Sequence, residues 1–395
     1  MQAPRAAAPI LISVGTRPEI IKMAPLHTEL RRRGIPVSWV HTGQHGEMAD
    51  TLYRLFGIAP EHRVTLARDD GGLAFLNAEL LRSLPALYEA IRPRAVLVHG
   101  DTTSTLASAQ AAFYCNVPIG HVEAGLRTHQ AREPFPEEKN RELTARLARW
   151  HFAPTVGAAA NLAREGIDGS SVHVVGNTGV DAALSGCARL DALMRDGHDV
   201  LPRGLDALRL HGASLRLVTV TAHRRENWDG GIARIARAVA RLLDTHDDLV
   251  VVWPVHGNPI VHASVHRELG PRLRDLSGRL LLLPPLDYPA LLWCLRRSVM
   301  ALTDSGGIQE EGAALSLPVL VLRDRTERPE LIAASGGLLV GTDEERIVAT
   351  VTRLLAQPEG IARMRAAANP FGDGRTAARI VDVLERDLAA PCRRA

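Results

Sequence analysis

At 395 residues the chain exceeds what one hydrophobic core usually organises, so two domains are expected. Hydrophobic residues at 46% and charged residues at 23% describe a folded globular protein, and a net charge of +3 excludes the dense basic stripe of a general nucleic-acid binder. Four scattered cysteines without a CxxC pair exclude a disulfide framework and a zinc site, and no apolar run is long enough to span a bilayer.

Short apolar runs alternate with amphipathic helices along the chain. Pro9–Val14 reads as a buried strand, Gly15–Arg17 as a turn, and Pro18–Arg33 as a helix with proline in its first turn. The short apolar N-terminal stretch runs directly into that strand, unlike a cleavable signal, so a cytoplasmic protein is expected. Val37–His41 is the next strand, followed by a helix-rich stretch. Ala95–His99, Pro118–Glu123, Trp150–Ala153 and Val172–Val175 continue the strand series, with a helix at Thr103–Tyr114.

Between Asp181 and Leu215 the pattern breaks into a polar helical linker. A second series then runs through Leu215–Thr221, Leu249–Val255, Arg279–Leu283, Val299–Thr303, Val319–Leu322 and Leu338–Val340, with helices such as Gly231–His246 and Asp343–Ala356 between them. Strands separated by helices imply parallel sheets. The expected fold is therefore α/β, with two doubly wound, Rossmann-like domains at 1–181 and 182–369. A C-terminal helix within 370–389 is expected to pack back on the first. Cys115, Cys187 and Cys294 read as core or near-core residues and Cys392 as part of a polar tail.

Open parallel sheets bind ligands at the carboxyl ends of their strands, and polar residues are dense there. In the second domain a strand ends in Thr303-Asp-Ser-Gly-Gly-Ile-Gln-Glu-Glu and enters a helix. Gly306 and Gly307 leave backbone N–H groups open at the helix N-terminus, a phosphate cradle by construction, although the same turn forms without a ligand. Glu310 and Glu311 follow in its first turn. The strand before Ala222-His-Arg-Arg-Glu-Asn delivers His223 and two arginines, cations that suit a diphosphate and equally suit a solvated loop. Arg328 adds a further cation. Neither GxxxxGKS/T nor a strand-linked GxGxxG is present, which argues against a triphosphatase loop and a dinucleotide cofactor.

In the first domain, strand ends supply Gly15-Thr-Arg-Pro-Glu, His99-Gly-Asp-Thr-Thr and His121-Val-Glu-Ala-Gly-Leu-Arg, followed by Pro136-Glu-Glu-Lys-Asn-Arg. Asp101, Glu123 and either Glu137 or Glu138 converge on one sheet edge in this reading. Carboxylates facing an anionic ligand suit acid/base chemistry on a sugar ring. His262 and His266 stand i, i+4 on a helix, but no third ligand accompanies them, so no metal is expected.

These motifs, together with Thr42-Gly-Gln-His, Val175-Gly-Asn-Thr, Pro254-Val-His-Gly-Asn-Pro and Arg323-Asp-Arg-Thr-Glu-Arg-Pro-Glu, resemble the non-hydrolysing UDP-N-acetylglucosamine 2-epimerases. They run in order from residue 15 to about 330, nearly the whole chain. The resemblance implies a GT-B architecture with a cleft between its domains, a UDP-sugar substrate, no cofactor, and a homodimer. It implies C2 inversion between UDP-GlcNAc and UDP-ManNAc, by elimination of UDP to a bound 2-acetamidoglucal and re-addition. The family's acid/base carboxylates match Asp101, Glu123 and Glu137, and its catalytic histidine matches His223. Its UDP contacts match Arg17, Lys22, Ser305, Gly306, Gly307, Glu311 and Arg328, and its uracil pocket falls at Tyr288 and Leu291.

Leu291 departs from the pattern, since the family commonly has an aromatic there. Many bacterial members carry a second UDP-GlcNAc site that promotes turnover. Gln44, Arg224, Glu226 and His256 match it, whereas Glu47 and Asp70-Gly71 replace residues that bond the ligand, so weakened activation is expected. Three alternatives share the fold or the cleft: an epimerase of a UDP-diacetamido sugar, a hydrolysing 2-epimerase, and a GT-B glycosyltransferase. A nucleotide-sugar sensor without catalysis is a fourth, opposed by the intact Asp101, Glu123, Glu137 and His223.

Overall fold

The computed structural model describes residues 8–44, 49–66, 72–198, 205, 215–276 and 278–389. The chain divides into two units, one of residues 1–185 with 372–395 and the other of residues 186–371.

In the first unit seven parallel strands lie in the order β3-β2-β1-β4-β5-β6-β7. They are β1 (Ile10–Val14), β2 (Val37–His41), β3 (His62–Arg63), β4 (Ala95–His99), β5 (Ile119–Val122), β6 (Trp150–Ala153) and β7 (Val172–Val174). The central strands β1 and β4 are buried on both faces, which is why they read as continuous apolar runs rather than alternating ones. The order reverses between β1 and β4, so the two strand ends separate there and leave a crevice at their carboxyl edge. The two-residue β3 escaped the sequence reading because it has no hydrophobic period to detect.

The second unit repeats the plan with six parallel strands, in the order β10-β9-β8-β11-β12-β13. These are β8 (Arg216–Thr221), β9 (Leu249–Pro254), β10 (Leu280–Leu283), β11 (Ser298–Thr303), β12 (Val319–Val321) and β13 (Gly337–Leu339). Its switch point lies between β8 and β11. Helix Gly231–Thr245 shows how the sequence builds this core. Ile232, Ile235, Ala236, Val239, Leu242 and Leu243 recur at helical spacing and are all buried against the sheet.

The segment read as a polar helical linker is helical as far as Arg195. Helix Thr178–Arg195 runs well into it, and Leu190 and Leu205 join a buried cluster with Leu286, Trp293 and Cys294. Cys187 and Cys294 are buried and Cys115 half-buried.

The last described helix, Thr376–Ala389, belongs to the first unit, where Ile380, Val381 and Leu384 are fully buried. Arg33 pairs with its Asp382 and Glu385, each at 2.6 Å, and the Trp150 indole donates to Asp387 at 2.8 Å. Burial carries most of this attachment, because ion pairs with exposed carboxylates contribute only about 0–1 kcal/mol. Ile380→Ala is expected to destabilise the first unit by about 2–5 kcal/mol, read from its unfolding midpoint in urea. A change below about 0.5 kcal/mol would show the helix to be dispensable.

Candidate active site

A single buried carboxylate assembles the first unit's crevice. Glu19 accepts from the backbone N–H groups of Gly15 (3.0 Å) and Thr16 (2.7 Å) at the end of β1. Its other oxygen accepts from the hydroxyls of Thr102 and Thr105, both at 2.8 Å, after β4. Thr102 in turn caps helix Thr103–Tyr114 by accepting from Thr105 N–H. Gly15 is required by space: a Cβ there would lie 2.2 Å from Thr42 Oγ1 and 2.3 Å from Ser104 Oγ.

These ends enclose a cavity of about 380 Å³ lined by Lys22, Gln44, His99, Asp101, Glu123 and Glu137 among others. Asp101 Oδ2 lies 2.6 Å from the Arg141 guanidinium, and Asn140 donates to the Asp101 carbonyl at 2.9 Å. Burial pushes the Asp101 carboxyl up to about 6. Arg141 pulls the other way, and the Glu123 and Glu137 carboxylates push it up further. The side chain keeps 28% of its accessible surface, so a ligand in the cavity reaches it despite the surrounding protein.

Glu123 sits just past β5 with φ 64, a left-handed conformation uncommon for a residue with a side chain. It pairs with Lys22, accepts from Asn177 Nδ2 at 3.2 Å, and lies 3.6 Å from His99 Nε2. Lys22, which the resemblance gives to UDP, is thus a partner of the carboxylates in this unit. Glu137 and Glu138, which the sequence left as alternatives, separate cleanly. Glu137 lines the cavity. Glu138 is fully buried and accepts from the N–H groups of Thr128 (3.0 Å) and His129 (2.8 Å), a structural clamp.

His121 is also fully buried, and burial pulls its imidazole down to about 3, so it is neutral and bonds the Gly100 carbonyl at 2.7 Å. It supports the loop that carries Asp101. Arg17, the first residue of helix Arg17–Arg32, is half-buried at the same edge.

In the second unit the candidate residues gather at the other switch point. Helix Gly306–Ala314 begins directly after β11, with Ser305 as its N-cap. A Cβ on Gly306 would lie 3.8 Å from the Arg328 guanidinium carbon and 3.9 Å from an Arg224 nitrogen. Two cations therefore frame the open amides of Gly306 and Gly307, the composition of an anion site. Arg328 is also bonded to the buried Glu310 at 2.6 Å, which fixes its direction. Glu311, one residue on, is half-buried.

His223 follows β8 beside this cradle. Its ring stacks on His256 at 5.3 Å, and its Nδ1 lies 3.4 Å from Asp304 Oδ1. Burial pulls the imidazole below its usual value, Asp304 works against that, and Arg224 and His256 add to it.

The second-site candidates divide between the units. Gln44 lies in the first-unit cavity and accepts from the Ser104 hydroxyl at 2.7 Å. Glu226 pairs with Arg323 in the second, and Arg224 belongs to the anion cradle. Glu47 and Asp70-Gly71 lie outside the described residues.

Tyr288 is 1% exposed and packs inside the second unit, facing Gly186. As the first residue of helix Tyr288–Arg297, after the Asp287 cap, it turns inward with Leu292. Leu291 is half-buried against the same core.

Arg141, Asn140, Asn177, His99 and Glu19 were not singled out from the sequence. Glu137, Asn140 and Arg141 share one helix face at i, i+3 and i+4, a spacing that carried the signal for two of them.

The family model for UDP-N-acetylglucosamine 2-epimerase matches residues 28–385. The chain belongs to that family, and it is an epimerase. A UDP-N-acetylglucosamine 2-epimerase of Escherichia coli is 41% identical over 383 residues, covering 96% of this chain and 98% of that one. One from Bacillus subtilis is 41% identical over 379 residues, covering 95% and 94%. The crystal structure of UDP-GlcNAc 2-epimerase from Neisseria meningitidis bound to UDP-GlcNAc matches with a TM-score of 0.85 and 37% identity, covering 95% of this chain and 99% of that one. The fold is accordingly of the GT-B type, built from two Rossmann-like domains.

The crowding of Asp101 generates a direct check. Its carboxyl carbon, followed by ¹³C NMR, is expected to titrate near pH 6. Arg141→Met is expected to move the midpoint upward by about 1 unit or more, because it removes the charge that favours the carboxylate. A wild-type midpoint near 4 would show an ordinarily solvated group.

Proposed function

We propose that the enzyme interconverts UDP-GlcNAc and UDP-ManNAc by inverting C2, without releasing free sugar. The observation that carries this reading is Asp101, raised to about 6 and set with Glu123 and Glu137 at one switch point. A carboxyl poised close to neutral pH gives and takes protons with little cost either way. The family's relatives, named as UDP-GlcNAc 2-epimerases, and the UDP-GlcNAc bound in the Neisseria structure support the substrate.

In this reaction one carboxylate takes the C2 proton. The electron pair left behind forms the C1–C2 double bond as the C1–O bond to the diphosphate breaks, and UDP departs with that bond's electrons. The ring is then 2-acetamidoglucal. A second carboxyl group delivers a proton to the opposite face of C2 while a diphosphate oxygen re-adds at C1, giving the epimer. The C2–H is weakly acidic, so the step depends on stabilising the leaving diphosphate. Arg224, Arg328 and the amides of Gly306 and Gly307 supply that charge complement, with Ser305 and Glu311 beside them, and His223 joins them as the catalytic histidine once its Nε2 has taken up a proton. Arg17 completes the assignment on the first unit. No acceptor is required, which separates the reading from a glycosyltransferase. The active species in this reading is a homodimer, and Phe113 and Tyr114, 57% and 67% exposed side by side, supply an apolar surface for a second copy.

Turnover in D₂O is expected to place deuterium at C2 of the product, read by NMR. Retention of the original hydrogen at full conversion would rule out the elimination route. Accumulation of free UDP in the same tube would identify a hydrolysing enzyme.

Asp101→Asn, Glu123→Gln and Glu137→Gln are each expected to lower kcat by about 10²–10⁴-fold while UDP still binds. Arg224→Ala is expected to weaken UDP binding by about ten- to a hundredfold, the worth of a charge-assisted hydrogen bond. It is a cleaner probe than Arg328→Ala, which strands the buried Glu310. Carboxylate variants that turn over at wild-type rates would overturn the assignment.

A further inference from the structure

Asp304 is a fully buried carboxylate for which the mechanism above has no use. One oxygen, Oδ2, is saturated: it accepts from the backbone N–H groups of His223 and Arg224 and from Asn227 Nδ2, all at 2.9 Å. The other, Oδ1, has no hydrogen-bond partner among the described residues and lies 3.4 Å from His223 Nδ1, about half an ångström beyond hydrogen-bond length. Leaving a buried carboxylate oxygen without a donor is costly. The His223 imidazole can satisfy it when it carries its hydrogen on Nδ1.

We propose that Asp304 is the positioning residue of His223, holding Nδ1–H toward its own carboxylate so that Nε2 is the nitrogen turned to the substrate. The proposal rests on the reading of His223 as catalytic. The same carboxylate that shapes the backbone of the loop after β8 thereby sets the tautomer of the side chain that loop carries. His256, stacked on the ring with an interplanar angle of 20°, restricts its remaining rotation. The charged and titratable groups facing His223 are Asp304 from the end of β11, Arg224 from its own loop, and His256 from the loop after β9. Asp304 is the only anion among these three. It favours the imidazolium that forms when Nε2 takes a proton, and Arg224 opposes it.

Asp304→Asn separates this role from loop building. The asparagine carbonyl oxygen can keep the three N–H donors, while its amide now faces Nδ1 as a donor and forces the hydrogen onto Nε2. The expected result is a kcat reduced by about 10²–10⁴-fold, with UDP affinity within threefold of wild type. The pH dependence assigned to His223 should move to lower pH, because the one group raising its pKa has lost its charge. Against a His223→Ala background, Asp304→Asn should cost almost nothing further, since a positioning residue has nothing left to position. Equal losses in both backgrounds would assign Asp304 a purely structural role and overturn the proposal alone. A His223→Ala enzyme near the wild-type rate would instead remove the underlying reading, and the proposal with it. Imidazole ¹⁵N shifts of wild-type His223 give a test independent of any variant's folding: hydrogen on Nδ1 is expected, and hydrogen on Nε2 overturns the proposal.

Discussion

A carboxylate removed from water must be surrounded by donors or take up a proton, and each sheet of this enzyme places one such group at its switch point. Glu19 takes four hydrogen bonds from the segments after β1 and β4. Asp304 takes three from the loop after β8 while standing at the end of β11. Beyond the last ladder pair, such as Thr303 with Thr221, the loops that leave a switch point have no sheet bonds to hold them. The buried carboxylates replace those bonds. Their placement fixes the loops that carry Asp101 in one unit and His223 in the other.

The balance of charge in the first-unit cavity follows from which effect wins. An arginine at 2.6 Å ordinarily lowers a carboxyl by about 1–3 units, yet Asp101 ends above its usual value. Burial, with Glu123 and Glu137 nearby, outweighs Arg141. Glu123 has its own cation in Lys22. The cavity therefore contains carboxyl groups in unequal environments.

Much of this architecture was legible in the sequence. Buried parallel strands such as Ala95–His99 announce themselves as unbroken apolar runs, and the residues after them are polar because ligands and turns belong there. Asp101, Glu123, His223 and Gly306 were singled out for that reason. The misses have different causes. Arg141 and Asn177 act through partners distant in sequence, and no local period encodes a contact such as Asn177 with Glu123, whereas Glu19 was overlooked although it closes a local Thr16-Arg-Pro-Glu capping box. The direction of the Tyr288 ring is set by packing, which motif position does not encode.

The attachment of helix Thr376–Ala389 to the first unit has a consequence for biosynthesis. The chain leaves the first unit after Ser185, builds the whole second unit, and returns at Gly372. On the ribosome, the second unit can therefore fold while the first still lacks the surface that Ile380, Val381 and Leu384 cover. The part made first is the part finished last. Until translation passes that helix, helix Arg17–Arg32 carries an open apolar flank, and a nascent chain stalled in this window is the form most exposed to aggregation and chaperone capture.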